Sequence, residues 1–91
     1  MKKFDQLNCT IMSIPVVENE NPFYLSFDVK VQRDVVPATF IGKSAQMLKN
    51  NIHPGDKAII RDGFIDNGKL VFDFMHLEPH NAIGCNVDIV C

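Results

Sequence analysis

The stretch that decides the fold runs from Ile41 to Ile65 and reads IGKSAQMLKNNIHPGDKAIIRDGFI. It begins at the end of an apolar strand and continues into a short helix, predicted over Ser44 to Asn51 with Ser44 as its N-cap. His53-Pro54-Gly55-Asp56 then predicts a turn, and an apolar strand from Lys57 to Ile65 follows it. The sequence therefore predicts a single helix inserted between two strands.

Runs of alternating apolar residues lie on both sides of this stretch. In the first run the apolar phase slips between Ile11 and Met12, which is typical of a bulge or a sharp bend in a long curved strand. Pro37 indicates an edge or entry position, and Asn67-Gly68 predicts a two-residue hairpin turn. The predicted strands are residues 4–17, 23–31, 35–41, 57–65 and 70–77.

Five strands with one helix between the third and the fourth are the layout of the OB-fold, a small Greek-key barrel. We therefore predict an all-β chain, mainly strand with one short helix, whose OB-fold domain covers residues 1–80. Residues 83–91 also alternate, so 81–91 is predicted to be an extra C-terminal strand that pairs with a barrel edge or with another subunit. The predicted core contains Leu7, Ile11, Leu25, Phe27, Val29, Phe40, Ala45, Leu48 and Ile60.

Length and composition fit one compact domain. The chain has 91 residues and a net charge of −2, which argues against indiscriminate charge-driven binding to duplex DNA. No apolar run approaches the roughly 20 residues that span a bilayer, and the N-terminus does not read as a signal peptide. The cysteines are odd in number and fit no metal-ribbon spacing, so we expect reduced thiols, no membrane association and a cytoplasmic location.

A family resemblance follows from the residues of the decisive stretch. Gly42-Lys43-Xaa-Ala45, then Leu48, then Gly55-Asp56 and the strand ending at Gly63-Phe64-Ile65 resemble the bacterial single-stranded DNA-binding proteins. They resemble equally the shorter primosomal replication proteins of the same fold. The resemblance covers residues 7–77 at the level of pattern, and it implies binding of single-stranded DNA and assembly into dimers or tetramers.

The chain departs from the family pattern in its loops and its end. The stretch from Gly55 to Gly63 is one residue longer, which predicts a bulge near Asp62. The turn at Asn67-Gly68 is tight where the family has a long DNA-wrapping hairpin. No linker with an acidic, Phe-terminated tail follows the barrel, which puts the family's mode of partner recruitment in doubt.

A nucleic-acid surface is also predicted from the residues themselves. An aromatic ring stacks on a base, and Lys or Arg neutralises the phosphates beside it. Asp28, Asp62 and Asp73 would weaken such a surface if they share its face, and a merely solvated exterior is the competing explanation for each charged residue. The predicted nucleic-acid-binding residues are Tyr24, Lys30, Arg33, Lys43, Arg61, Phe64, Lys69 and Phe72, with Phe64 and Phe72 expected to point outward.

Other chemistry has little support in the sequence. His76, His80, Cys85 and Cys91 are zinc-competent residue types, but their spacings match no common site, and buried free cysteine is the better explanation for the two thiols. No nucleophile–base pair, phosphate loop or paired carboxylates occur, so we expect neither an enzyme nor a bound metal or cofactor.

Two classes of function remain. The first is a small non-enzymatic single-stranded DNA-binding protein of replication, recombination or repair, in keeping with a mobile element or phage, with RNA as an alternative ligand. The second is an OB-fold interaction module that docks on a helicase or another nucleic-acid-processing complex. In either class we expect a homodimer or a higher homo-oligomer, because the alternating tail needs to be covered.

Overall fold

The computed structural model of the protein describes residues 2–78, which form seven β-strands and one short helix. The strands are β1 Lys2–Ile11, β2 Val16–Glu20, β3 Phe23–Val31, β4 Asp34–Ile41, β5 Lys57–Asp66, β6 Lys69–Phe72 and β7 Met75–Leu77, and the helix α1 is Lys43–Leu48. The predicted C-terminal strand, 81–91, lies outside the described residues. Within 2–78, no helix is long and apolar enough to cross a bilayer.

Five of the strands close into a barrel. β1 pairs with both β3 and β5, β3 pairs with β4, β4 with β6, and β6 with β5. Each of these pairs is antiparallel except β4–β6, which is parallel. With α1 between β4 and β5, this connectivity confirms the predicted all-β, OB-like barrel.

Two of the predicted strands are each divided in two. The first ends at Ile11 and resumes as β2 at Val16, so the chain breaks where the apolar phase slips, and β2 continues the pairing with β3. The last is interrupted at residues 73–74. β6 and β7 both pair with β5, at its C-terminal and N-terminal ends respectively, so together they serve as the fifth barrel strand.

The alternation of buried and exposed residues changes phase at neighbouring positions of β1, of β5 and of the junction between β6 and β7. In each strand two consecutive residues are exposed where alternation would bury one of them: 5–6, 61–62 and 73–74. Phe4 pairs with Gly63 and Leu7 with Ile60, so the inward residues still face one another on both sides of the break. The register is therefore unchanged, and the predicted bulge near Asp62 is wrong. Asp62 instead has a left-handed φ of 54° that turns the strand without an extra residue.

The core lies inside the barrel and contains every member of the predicted set. Seven of them are buried, and Leu7 and Leu48 are partly buried against them. Phe72 joins this core, stacked on Phe40 at 5.0 Å between ring centroids and edge-on to Phe27 at 6.4 Å. Edge-to-face and offset-stacked rings of this kind contribute beyond simple area burial, so the three phenyl groups form the centre of the barrel.

The helix begins one residue earlier than predicted and has a different cap. Gly42 occupies the N-cap position at φ 91° with no side-chain cap hydrogen bond, so the assignment of that position to Ser44 is wrong. The Gly42 N–H donates to the Phe23 carbonyl at 2.9 Å, which ties the start of α1 to β3. A left-handed φ is available to glycine at low cost, which explains why glycine marks the change from strand to helix.

The His53–Asp56 turn is anchored to the end of β1. The Gly55 N–H donates to the Ile11 carbonyl at 2.7 Å, and the Ile11 N–H donates to the Asp56 carbonyl at 2.8 Å. Asp56 is buried, and its carboxylate accepts the His53 N–H at 3.1 Å. The turn therefore fixes where β5 enters the barrel beside β1.

Candidate nucleic-acid interface

Several of the predicted binding residues lie on the outward surface of β3 and β4. Because Phe23, Leu25, Phe27 and Val29 point into the core, the alternate residues of β3 point outward. The directly opposed outward pairs are Tyr24–Ile41, Ser26–Thr39, Asp28–Pro37 and Lys30–Val35. We call this surface the β3–β4 face. From Tyr24 to Lys30 it is about 20 Å long at the usual rise of a strand.

Basic residues stand at both ends of the β3–β4 face. Lys43 opens α1 directly after Ile41 and Gly42, beside Tyr24, and it is exposed. At the other end Lys30 is exposed and Arg33 is the second residue of the two-residue turn between β3 and β4. The small side chains of Ser26 and Thr39 lie between these ends, so the middle of the face has room for a ligand.

Asp28 is the exception on the β3–β4 face. It is exposed and lies opposite Pro37, between Tyr24 and Lys30. Its backbone N–H donates to the Ser13 hydroxyl at 2.8 Å, and its carbonyl accepts the Met12 N–H at 2.8 Å. Those bonds fix the segment between β1 and β2 against β3, and the exposed carboxylate adds a negative charge to the middle of this face.

A polar groove continues the face beyond Lys30. Thr10 pairs with Lys30 on one side and with Lys57 on the other, so two lysines flank one threonine across three strands. The groove has a volume of about 490 Å³ and is lined by Asn8, Cys9, Thr10, Lys30, Gln32, Lys57, Ala58 and Glu78. We call it the lysine groove. Burial raises the pKa of the Cys9 thiol to about 11, so at neutral pH the thiol is uncharged and adds no negative charge there.

Phe64 lies in a second groove, which adjoins the β3–β4 face because Thr39 of β4 pairs with Val71 of β6. Its ring is 40 % exposed, and Val71 is its directly opposite partner on β6. The groove has a volume of about 310 Å³ and is lined by Ile41, Asp62, Phe64, Asp66, Val71, Phe72 and Asp73. We call it the carboxylate groove, because its three polar lining residues are aspartates.

The expectation that Phe72 points outward is wrong. Phe72 is 2 % exposed and belongs to the core. Directly opposed residues of an antiparallel pair point to the same side, so Phe64 and Val71 share the outer surface and the next residue, Phe72, points inward. Phe72 contributes only to the floor of the carboxylate groove and offers no free ring face for stacking.

The other predicted residues lie apart from the β3–β4 face. Arg61 is exposed on β5 opposite Gln6 of β1, two strands away from the β3–β4 pair in either direction around the barrel. Lys69 is exposed at the β5–β6 hairpin, opposite Asp66. The predicted set therefore divides: Tyr24, Lys30, Arg33 and Lys43 lie along the β3–β4 face or at its ends, while Arg61 and Lys69 lie apart from it. Phe64 lies next to the face, across β6.

The residues missed from the sequence are mostly the partners that define the grooves. Lys57 was assigned only to a strand, yet its pairing with Thr10 places it in the lysine groove. Ile41 and Val71 were counted only as apolar strand residues, yet both line the carboxylate groove. The tight Asn67-Gly68 turn was the available signal for Val71, since a two-residue loop fixes its register opposite Phe64.

Within residues 2–78, no three His, Cys, Asp or Glu side chains form a group that would hold a metal ion. Three of the zinc-competent residues named above, His80, Cys85 and Cys91, lie outside the described residues.

Comparison with known proteins does not assign this chain to a family. A scan against protein-family models finds no match, and a search of curated proteins finds no similar sequence. The likeness to single-stranded DNA-binding proteins therefore stays a resemblance carried by the motifs quoted above.

Proposed function

We propose that the protein binds single-stranded DNA along the β3–β4 face and into the lysine groove, as a non-enzymatic component of replication, recombination or repair. The observation that carries the proposal is the order of residues along one outward surface. An aromatic ring, Tyr24, lies at one end, the small Ser26 and the exposed Asp28 follow, and Lys30 and Lys57 flank Thr10 at the other end.

The chemistry of a single strand matches this order. Bases stack on aromatic rings whatever their sequence, and lysines neutralise the phosphates that run alongside. With one tyrosine in the chain, stacking capacity is modest, and a net charge of −2 gives little long-range attraction. We therefore expect weak binding that falls steeply with salt, with little preference among bases and with RNA as a competing ligand.

Fluorescence anisotropy with a labelled dT oligomer tests the proposal. We expect Tyr24→Ala to weaken binding by the loss of one stacking contact, about 1–3 kcal/mol. We expect Lys30→Gln and Lys57→Gln each to reduce the slope of log K against log salt by about 0.7 between roughly 50 and 200 mM NaCl, because each removes one phosphate contact. All three residues have outward side chains, so thermal melting should change little.

Arg61→Gln is the matched control. It removes the same charge from an exposed position of β5 that lines neither the β3–β4 face nor the lysine groove. If it lowers the salt slope as much as Lys30→Gln does, the path along the β3–β4 face is wrong. If the intact protein shows no binding at high micromolar concentration and low salt, single-strand binding itself is refuted.

A second function has its own supporting observation. The carboxylate groove is apolar at its floor and acidic at its rim, which suits a protein partner better than a phosphate backbone. A role as an OB-fold interaction module on a helicase or a similar complex is therefore the alternative proposal.

A further inference from the structure

The carboxylate groove is an apolar surface that the barrel leaves open. Phe64 is 40 % exposed although it has strand partners on both sides, Lys3 and Val71. Val71 lies directly opposite it, and Ile41 closes the groove from the end of β4. The volume of about 310 Å³ is sufficient for one or two apolar side chains of a ligand, at the lower end of the range for small-molecule pockets.

The rim of the groove is acidic. Asp62, Asp66 and Asp73 line it, and no lysine or arginine of residues 2–78 forms an ion pair with any of them. Lys3 and Lys69 occupy the positions opposite Phe64 and Asp66, but neither lines the groove. The whole chain is also negative, at −2, so its general field favours a cationic ligand.

We propose that the carboxylate groove docks a polypeptide segment of a partner protein in which one apolar side chain lies between lysines or arginines. The apolar side chain would pack on Phe64 and Val71, and the basic groups would bond the aspartates at the rim. Guanidinium–carboxylate bonds are short and directional, so the rim would also fix the orientation of the segment. A nucleic acid fits less well, because its phosphates would meet the three carboxylates.

This inference deepens the alternative proposed function and does not depend on single-strand binding, although the groove adjoins the β3–β4 face at Ile41, the partner of Tyr24. The probe is a fluorescent peptide with one leucine flanked on each side by two lysines, embedded in glycine and serine. We expect saturable binding by anisotropy that weakens as salt rises. We expect none for a matched peptide with glutamates in place of the lysines, and a loss of at least fivefold when serine replaces the leucine.

Variants of the protein locate the site. Asp66→Asn combined with Asp73→Asn should weaken peptide binding at least fivefold, because both side chains are exposed and line the rim. Asp34→Asn removes the same charge from an exposed position at the start of β4, away from the groove, and should leave binding unchanged. Phe64→Ser should weaken binding with melting monitored in parallel, and the double asparagine variant keeps the test valid if Phe64→Ser fails to fold.

Several results would overturn the proposal. The proposal is refuted if the peptide does not bind at a concentration of about 1 mM, since a specific site should bind at least that tightly. If Asp34→Asn weakens peptide binding as much as the rim variant does, the peptide is attracted by the net charge of the protein and no specific site exists. Displacement of the bound peptide by a dT oligomer, with loss of oligomer binding in Phe64→Ser, would assign the groove to nucleic acid instead.

Discussion

Gly63 is a position at which the barrel leaves no space for a side chain. A Cβ added there would lie 2.7 Å from the Val71 carbonyl oxygen and 2.6 Å from Cζ of Phe4. The ring of Phe4 is the end of a side chain and can rotate away, whereas the Val71 carbonyl belongs to the backbone of β6. The backbone of β6, which lines the carboxylate groove, can therefore approach β5 this closely because residue 63 has no side chain.

We expect Gly63→Ala to lower the free energy of unfolding by about 1–3 kcal/mol, the usual cost of overpacking. Urea denaturation measures it. In a Phe4→Ala background the cost of Gly63→Ala should persist, because the obstructing carbonyl remains. If the double variant shows no further loss, the Phe4 ring alone was the obstacle and the close approach of β6 is not limiting.

At the scale of strands, the shared change of phase across β1, β5 and β6–β7 shapes the binding surfaces. It exposes two consecutive residues in each strand and directs Asp62 and Asp73 to the groove in which Phe64 lies. Like charges placed close together on a sheet are destabilising, and Asp62 also holds a left-handed φ that asparagine adopts more readily than most residues.

We therefore expect Asp62→Asn to stabilise the protein by about 0.5–1 kcal/mol at low ionic strength, since it removes one of the like charges and keeps the shape of the side chain. The gain should shrink as salt rises, because salt screens the repulsion between Asp62 and the neighbouring carboxylates in the unsubstituted protein. Denaturation at low and high salt measures the difference. Asp34→Asn, away from the groove, should give no salt-dependent gain, and equal gains for the two variants would contradict the explanation.

The strand pattern of the sequence was sufficient for the barrel but not for all of its surfaces. The clean alternation of residues 23–31 placed Tyr24 and Lys30 outward correctly, because β3 has no break. In the last strand the interruption at residues 73–74 hides the phase, so the prediction that Phe72 points outward has no clean alternation to support it. Counting back from the Asn67-Gly68 turn would have placed Phe72 inside, since the turn fixes Val71 opposite Phe64.

Contacts between distant strands were beyond the sequence for a different reason. The pairing of Thr10 with both Lys30 and Lys57 depends on how the barrel closes, and no local pattern encodes it. The same is true of Asp56, which is buried in the turn that bonds to the end of β1. The neighbours of Lys30, Lys57 and Asp56 are thus set by the closed barrel, whereas the sequence alone predicts only charged surface residues at these positions.

For the whole molecule, the open edge of β1 is the feature that bears on assembly. Within residues 2–78, β1 pairs with β5 along its length but with β3 only at Thr10 and Ile11, so its first part has a strand on one side alone. Exposed Lys2 and Lys3 at the start of this edge discourage unwanted pairing. The described chain ends close by, where the Glu78 N–H donates to the Lys57 carbonyl at 2.9 Å.

The alternating sequence of residues 83–91 is suited to cover such an edge, either in its own barrel or in a second copy of the chain. We predict the second arrangement, a two-fold dimer or higher oligomer with the tail at or near the interface. Light scattering over a range of concentrations measures the mass, and deletion of residues 82–91 should yield a smaller species. A chain that is already monomeric at high concentration would exclude the dimer. In that case a truncated protein that remains monomeric but melts at a lower temperature would place the tail on the edge of its own barrel.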